Sequence, residues 1–310
     1  MAAYQELYVS GQLEERVARA RAVLSDCQLC PRRCRVDRLH GETGTCRTAA
    51  ESSVSSYGPH FGEEAPLVGL HGSGTIFFTH CNMRCMFCQN YSISQLGDGK
   101  VATTEEMAKI MLALQERGCH NINLVTPTHV VPQVMEAIHI AAGSGLSIPL
   151  VYNCGGYESV ETLKLLDGII DIYMPDMKYS DELNARRFSG VKDYPAVNRA
   201  AVKEMHRQVG NLQIDERGVA RRGLLIRHLV LPNGIAGTEG VVRFIADEIS
   251  PQTYLNVMAQ YYPANRVFKI PVLSRPLRNE ELIEAVNLAR EHGLVRLDGM
   301  WPRSVAIKRG

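Results

Sequence analysis

Short apolar runs, each closed by a polar cluster, recur along the chain with amphipathic stretches between them. Residues 75–78, 121–125, 149–152, 169–174, 224–231 and 254–259 are rich in Val, Ile, Leu, Phe and Tyr, as strands buried on both faces are. Residues 13–24, 103–117, 130–142, 159–166, 181–188, 195–209, 238–249 and 279–291 space their apolar positions as helices do. Thr103 with Glu106 reads as a capping box and Gly118 as its closing residue, while Thr238 and Asn279 are expected N-caps. Residues 212–214 and 219–220, around Asp215-Glu216-Arg217-Gly218, read as a hairpin-like insertion. Residues 52–70, polar and punctuated by Gly58, Pro59, Gly62 and Pro66, read as a linking loop, and 91–102 as irregular chain. Six strands separated by helices predict right-handed crossovers and a mostly parallel sheet. The fold class is therefore α/β, a partial (β/α)6 TIM-like barrel over residues 71–310, preceded by a small N-terminal Cys-rich extension over 1–70. No internal repeat or low-complexity tract is visible.

In parallel α/β folds ligands sit at the carboxyl ends of the strands. The polar residues here gather there: His80, Thr126, Thr128, His129, Asn153, Asp176, Lys178, Arg227, His228, Gln260 and Tyr261. Any one of them suits an ordinary loop, but their recurrence at successive strand ends marks a site. Two readings of Asp176 and Lys178 stay open, ligand contacts or a surface ion pair worth little. Arg227 likewise reads as a candidate for a carboxylate or as a residue on the solvated, helix-facing side of its strand.

Seven of the nine cysteines fall in two tight groups. Cys81, Cys85 and Cys88 follow the first strand within eight residues. Three thiolates can converge on a soft metal centre, one short of the four that fill an iron–sulfur cluster. An iron left open is where cofactor or substrate chemistry takes place. The same spacing also fits a buried helix face, though three Cys and no Leu make an odd stripe. The second group, Cys27, Cys30, Cys34 and Cys46, offers four thiolates, enough for tetrahedral zinc or for a complete cluster. Pro31 argues against a continuous helix through it. Cys119 and Cys154 stand alone.

The Cys-x3-Cys-x2-Cys spacing, with Phe87 before the last Cys, resembles the radical S-adenosylmethionine (radical SAM) motif. Within that superfamily the chain, including its CxxCPRxC segment, resembles the uncharacterised iron–sulfur proteins related to pyruvate formate-lyase activating enzyme. The resemblance implies a partial barrel and a [4Fe–4S] cluster on Cys81, Cys85 and Cys88 whose open iron chelates S-adenosylmethionine. It further implies reductive cleavage to a 5′-deoxyadenosyl radical, hydrogen abstraction from a partner such as a glycyl-radical protein, and a flavodoxin or ferredoxin as one-electron donor. Phe87 is implied on the adenine side, and Asp176-Met177-Lys178 is similar to the Asp-x-Lys of activating enzymes. Relatives carry a Gly-Gly-Glu-Pro-like turn for the SAM amino group where this chain has Thr126-Pro127-Thr128. Asn153 and Arg227 complete the candidate cofactor-binding set. The resemblance leaves open a zinc ion or auxiliary cluster on Cys27, Cys30, Cys34 and Cys46, and a peptide, RNA or small-molecule substrate.

Composition narrows the field. Over 310 residues the net charge is +1, so no global attraction to nucleic acid or an anionic membrane is expected. No stretch approaches the roughly 18 apolar residues of a membrane helix. The N-terminus has acids and no apolar core, unlike a signal peptide. Grouped cysteines without such a signal favour metal over disulfides and a reducing cytoplasm. The reading from a different class is a zinc-binding scaffold or regulatory protein in which both groups are structural.

Overall fold

The computed structural model describes residues 2–298; residues 299–310 of the expected 71–310 unit lie outside the described residues. The chain opens with α1 (Tyr4–Val9), which the apolar pattern did not announce, and α2 (Gln12–Ala22). A 3-10 turn then ends at Asp26, and residues 27–37 are not helical, in line with Pro31, before a second 3-10 turn at Arg38–His40. Residues expected as a linking loop instead form β1 (Ser52–His60) and the short α3 (Ala65–Val68). The first apolar run is β2 (Ser73–Phe78), antiparallel to β1 with Val54 opposite Phe78 and His60 opposite Ser73. The chain expected as irregular at 91–102 holds one π-helical turn and β3 (Lys100–Ala102), which pairs with β1.

From there the expected alternation holds. In order come α4 (Thr104–Glu116), β4 (Ile122–Val125), α5 (Val131–Gly143), β5 (Leu150–Cys154), α6 (Val160–Leu165) and β6 (Ile172–Pro175). Next are α7 (Glu182–Ser189), α8 (Tyr194–Val209), β7 (Gln213–Ile214), β8 (Ala220–Leu229), α9 (Thr238–Phe244), β9 (Tyr254–Met258) and α10 (Asn279–Glu291). The capping box is present: Thr103 Oγ1 accepts from Glu106 N at 3.2 Å and Glu106 Oε2 from Thr103 N at 2.9 Å. The other two expected caps differ. Gly237 caps α9, because the Thr238 hydroxyl is engaged by His228 Nε2 at 3.0 Å. Asn279 is the first residue inside α10, and the Glu281 carboxylate holds the N–H of Arg278 at 2.9 Å.

Strands β2, β4, β5, β6, β8 and β9 are parallel and adjacent in chain order. Beyond β2 lies β1, not β9, so the sheet stays open as a partial barrel. Helices α1, α2, α4 and α5 share the main core with the outer faces of the strands. Inside the curve, Leu67 of α3 packs with Val151, Ile172, Met174 and Leu225, so α3 closes the floor of the barrel.

Candidate active site

Side chains alternate along a strand, so positions two apart share a face. The inward positions change character toward the carboxyl end of each strand: Val151 gives way to Asn153, Ile172 and Met174 to Asp176, and Leu225 to Arg227. The first of each series lie in the apolar floor cluster, and Asn153, Asp176 and Arg227 line a cavity of about 810 Å³ above it. Arg227 thus faces inward, which corrects the solvated alternative. Asp176 and Arg227 are register partners on adjacent strands. Arg227 Nε donates to Asp176 Oδ1 at 2.8 Å and its Nη2 to Asn153 Oδ1 at 2.7 Å. Lys178 Nζ donates to the other Asp176 oxygen. The group is not a surface pair, since the side chains of Asp176, Lys178 and Arg227 are 9%, 14% and 17% exposed. Burial alone would raise the Asp176 carboxyl, but Arg227 and Lys178 hold it below the usual carboxylate range.

Gly156 lets this wall close. Its φ is +74°, and a Cβ there would lie 2.1 Å from the Asp176 carbonyl. Asn198 Nδ2 uses the approach, donating to the carbonyls of Gly156 and Asp176 at 2.9 Å each.

At the end of β2 the chain turns sharply at His80, φ +68°, into the cysteine loop. Two main-chain bonds and one side-chain bond fix the loop: Met86 N–H donates to Phe188 O at 2.7 Å, Arg84 N–H to Ser189 O at 3.2 Å, and the Gln95 side-chain Nε2 to Cys85 O at 2.8 Å. Each sulfur has a polar partner, with the Met83 N–H 3.4 Å from Cys81 Sγ, Ser189 Oγ 3.1 Å from Cys85 Sγ and Ser94 Oγ 3.2 Å from Cys88 Sγ. All three thiols are free of disulfides and line the same cavity as the polar wall. Burial pushes the Cys81 thiol up to about 12 and raises Cys85 as well, so these groups need a cation to become thiolates.

Among the described residues no group of three or more His, Cys, Asp or Glu side chains is placed to hold a single metal ion. Three free thiols around one cavity, each met by a hydrogen-bond partner, are the donor type that an iron–sulfur cluster takes. The donor set therefore suits the [4Fe–4S] group.

Phe87 lines the cavity and meets Tyr179 and Tyr261 edge-on, at centroid distances of 6.4 and 6.1 Å. Thr126 lines it too. Thr128 does not: its hydroxyl donates to buried Glu158 at 2.7 Å. His129 is buried, its Nε2 2.8 Å from Thr79 O, and the His139 ring lies tilted against Tyr8, centroids 5.3 Å apart. Cys27, Cys30, Cys34 and Cys46 line a separate small cavity behind the cysteine loop. The floor of the large cavity adds residues not anticipated. Glu64 accepts from Asn256 Nδ2 at 2.9 Å, lies 3.9 Å from Arg227, and keeps Oε2 buried without a partner among the described residues. Asn256, the lone amide inside an apolar run, was the available signal; Glu64 was hidden in the segment read as a loop.

A family model described as the radical SAM superfamily matches residues 75–214. Two uncharacterised proteins of Methanocaldococcus jannaschii are similar along nearly the whole chain. One is 33% identical over 91% of this chain and 79% of its own length, the other 24% identical over 86% and 78%. Among solved structures, a radical SAM methyltransferase from Sphaerobacter thermophilus is 14% identical with a TM-score of 0.49, over 71% of this chain and 64% of its own. The Streptococcus suis protein SuiB, bound to S-adenosylmethionine, is 13% identical with a TM-score of 0.48, over 71% of this chain and 47% of its own.

Proposed function

The chain belongs to the radical SAM superfamily, and on that premise we propose that its strand-end cavity binds S-adenosylmethionine and removes a hydrogen atom from a partner, a glycyl-radical protein being the class its motifs resemble. One observation carries the reading: the thiols of Cys81, Cys85 and Cys88 and the network of Asn153, Asp176, Lys178 and Arg227 line the same cavity. When bound, a [4Fe–4S] cluster and S-adenosylmethionine supply a reducing electron and a sulfonium carbon–sulfur bond for it to break.

The chain's own residues do the positioning. Cys81, Cys85 and Cys88 would hold the cluster through their thiolates. Lys178 and Arg227 have more N–H donors than Asp176 and Asn153 take up, so this wall offers a carboxylate charge-assisted hydrogen bonds. Asn153 Oδ1 and the Thr126 hydroxyl accept from an ammonium. Phe87, held by Tyr179 and Tyr261, offers an apolar face to adenine. At about 810 Å³ the cavity lies in the upper part of the range for small-molecule sites, leaving space for a substrate group beside the cofactor. The electron comes from a one-electron donor of the flavodoxin or ferredoxin class.

The test is anaerobic reconstitution followed by dithionite and S-adenosylmethionine. Release of 5′-deoxyadenosine is expected, with deuterium passing into it from a partner polypeptide labelled at glycine. A protein with its full complement of iron that releases none would overturn the reading; release without deuterium transfer would exclude the glycyl-radical partner alone.

A further inference from the structure

The cysteine loop is lined on by a second, smaller cavity. It measures about 260 Å³ and shares His80, Cys81, Met83 and Ser94 with the large one. Asn153, Asp176 and Arg227 do not line it, so it is an approach to the cysteine loop apart from the polar wall. Ser94, whose hydroxyl lies 3.2 Å from Cys88 Sγ, brings a second cysteine within reach of it.

Three arginines from three segments surround its mouth. Arg47 comes from the stretch before β1, Arg84 from the cysteine loop and Arg266 from the stretch after β9, and all three are exposed. No Asp or Glu lines the cavity, and among the described residues none of the three arginines forms an ion pair. The chain as a whole is almost neutral, with 34 Lys and Arg against 33 Asp and Glu, so this is a local excess.

The arginines are also held in place. Gln95 is the hub: its carbonyl accepts from Arg47 Nη1 at 3.2 Å, its Oε1 accepts from Arg266 Nη2 at 3.1 Å, and its Nε2 reaches Cys85 O. Arg84 Nη2 donates to Thr45 O at 3.2 Å, and the Arg266 N–H to Met86 O at 3.0 Å. Each guanidinium thus spends little of its five-donor fork, and on neutral acceptors, so its charge stays unmatched at the surface. Like charges around one mouth repel, and a negatively charged partner relieves that cost. Beside them Leu96 is 70% and Tyr91 39% exposed. Arginine and tyrosine around an apolar contact is the make-up of a protein interface.

We propose that this arginine-rimmed mouth is the docking site of the one-electron donor, a small acidic redox protein of the flavodoxin or ferredoxin class. What the donor delivers rests on the radical SAM reading; the docking itself does not. Electron transfer falls steeply with distance, and a protein seated here lies against the loop of Cys81, Cys85 and Cys88 without filling the substrate cavity. One electron leaves the donor's flavin hydroquinone and enters the cluster; no atom or proton changes hands.

Binding of an oxidised flavodoxin, followed by titration calorimetry at low salt, tests the docking without any turnover. The variant R47E/R84E/R266E should bind at least tenfold more weakly, and wild-type affinity should fall as salt is raised. The control R117E/R243E/R290E makes the same change in net charge with exposed residues at or near the carboxyl ends of α4, α9 and α10, and should stay within twofold. Should the first variant not fold, R47Q/R84Q/R266Q keeps a side-chain donor at each position and should still weaken binding at least threefold. Equal weakening in rim and control variants, or none at the rim, overturns the proposal. So does a wild-type chain that binds neither a flavodoxin nor a ferredoxin. Displacement of the flavodoxin by millimolar inorganic phosphate at constant ionic strength would assign the arginines to a small anion and overturn it too. In the reconstituted protein, freeze-quench electron paramagnetic resonance should show reduction by flavodoxin slowed at least tenfold in R47E/R84E/R266E, with reduction by dithionite within twofold of wild type. Failure of the radical SAM reading would appear separately, as wild-type protein that binds flavodoxin yet releases no 5′-deoxyadenosine with dithionite.

Discussion

The two ends of the partial barrel bury polar groups in opposite ways. At the strand feet the buried polar side chains are mostly tied to neighbouring backbone or amide groups, although Asn123 and Thr253 keep side-chain atoms without a partner among the described residues. Ser73 Oγ donates to Asn121 Oδ1 at 2.6 Å, Asn121 Nδ2 to Leu67 O at 2.9 Å, and Asp171 accepts from the N–H groups of Leu150 and Ala3 at 2.9 and 2.8 Å. At the carboxyl ends three charges are buried against one another, and Glu64 Oε2 and Thr79 Oγ1 lack partners among the described residues. Burying charges in pairs seldom improves on apolar packing. The upper end therefore gives up stability for groups that can meet a ligand, while the feet hold the fold together.

The sharpest break in that comparison is Cys85→Ala. Release of 5′-deoxyadenosine should fall below detection, a loss of at least a thousandfold, while the melting temperature moves by only a few degrees because one small buried side chain replaces another. Activity that survives, or a fold that collapses, would show that the two ends are not divided as described.

Arg227→Gln probes the same end by charge. Removing one partner of a buried ion pair costs about 3–5 kcal/mol; here Asp176 is left with Lys178 alone and Glu64 with no cationic partner among the described residues. Binding of S-adenosylmethionine, measured by titration calorimetry on the folded fraction, should weaken by more than tenfold. A loss of stability without a loss of affinity would reduce Arg227 to a strut.

Much of this division could be read before any coordinates. The six parallel strands were visible because strands buried on both faces are continuous apolar runs, and Asn153, Asp176 and Arg227 stood out as the polar residues that end them. What escaped notice was structure with little apolar signal. In β1, Ser-Ser-Val-Ser-Ser-Tyr-Gly-Pro-His, only Ser52 and Val54 are buried, so its strand character comes from pairing with β2. The helix that Glu64 precedes is four residues long, too short for any periodicity, and is held by Leu67 in the barrel floor. Thr128 misled for another reason. Only two residues from Thr126, it is drawn away by a buried carboxylate thirty positions later, a tertiary choice that local spacing does not encode.

The smallest effect belongs to the feet and depends on pH. Burial raises the Asp171 carboxyl from 3.8 to about 6, against the lowering influence of its two backbone hydrogen bonds. The folded chain therefore holds a proton on Asp171 over a range where the unfolded chain has released it. Stability from this group is complete below about pH 3.8 and is lost as pH rises through about 6. A shift of that size corresponds to at most about 3 kcal/mol between pH 4 and pH 8. Asp171→Asn removes the titration. The variant should be less stable than the wild type at pH 4, by about 1 kcal/mol, since one backbone N–H loses its acceptor. By pH 8 the difference should have moved about 2–3 kcal/mol in the variant's favour. Urea unfolding at the two pH values measures it, with cleavage of S-adenosylmethionine per folded chain unchanged throughout. A difference that ignores pH would mean that the Asp171 carboxylate is solvated in the folded chain, and the strand feet would then no longer be the end that closes its polar groups away from water.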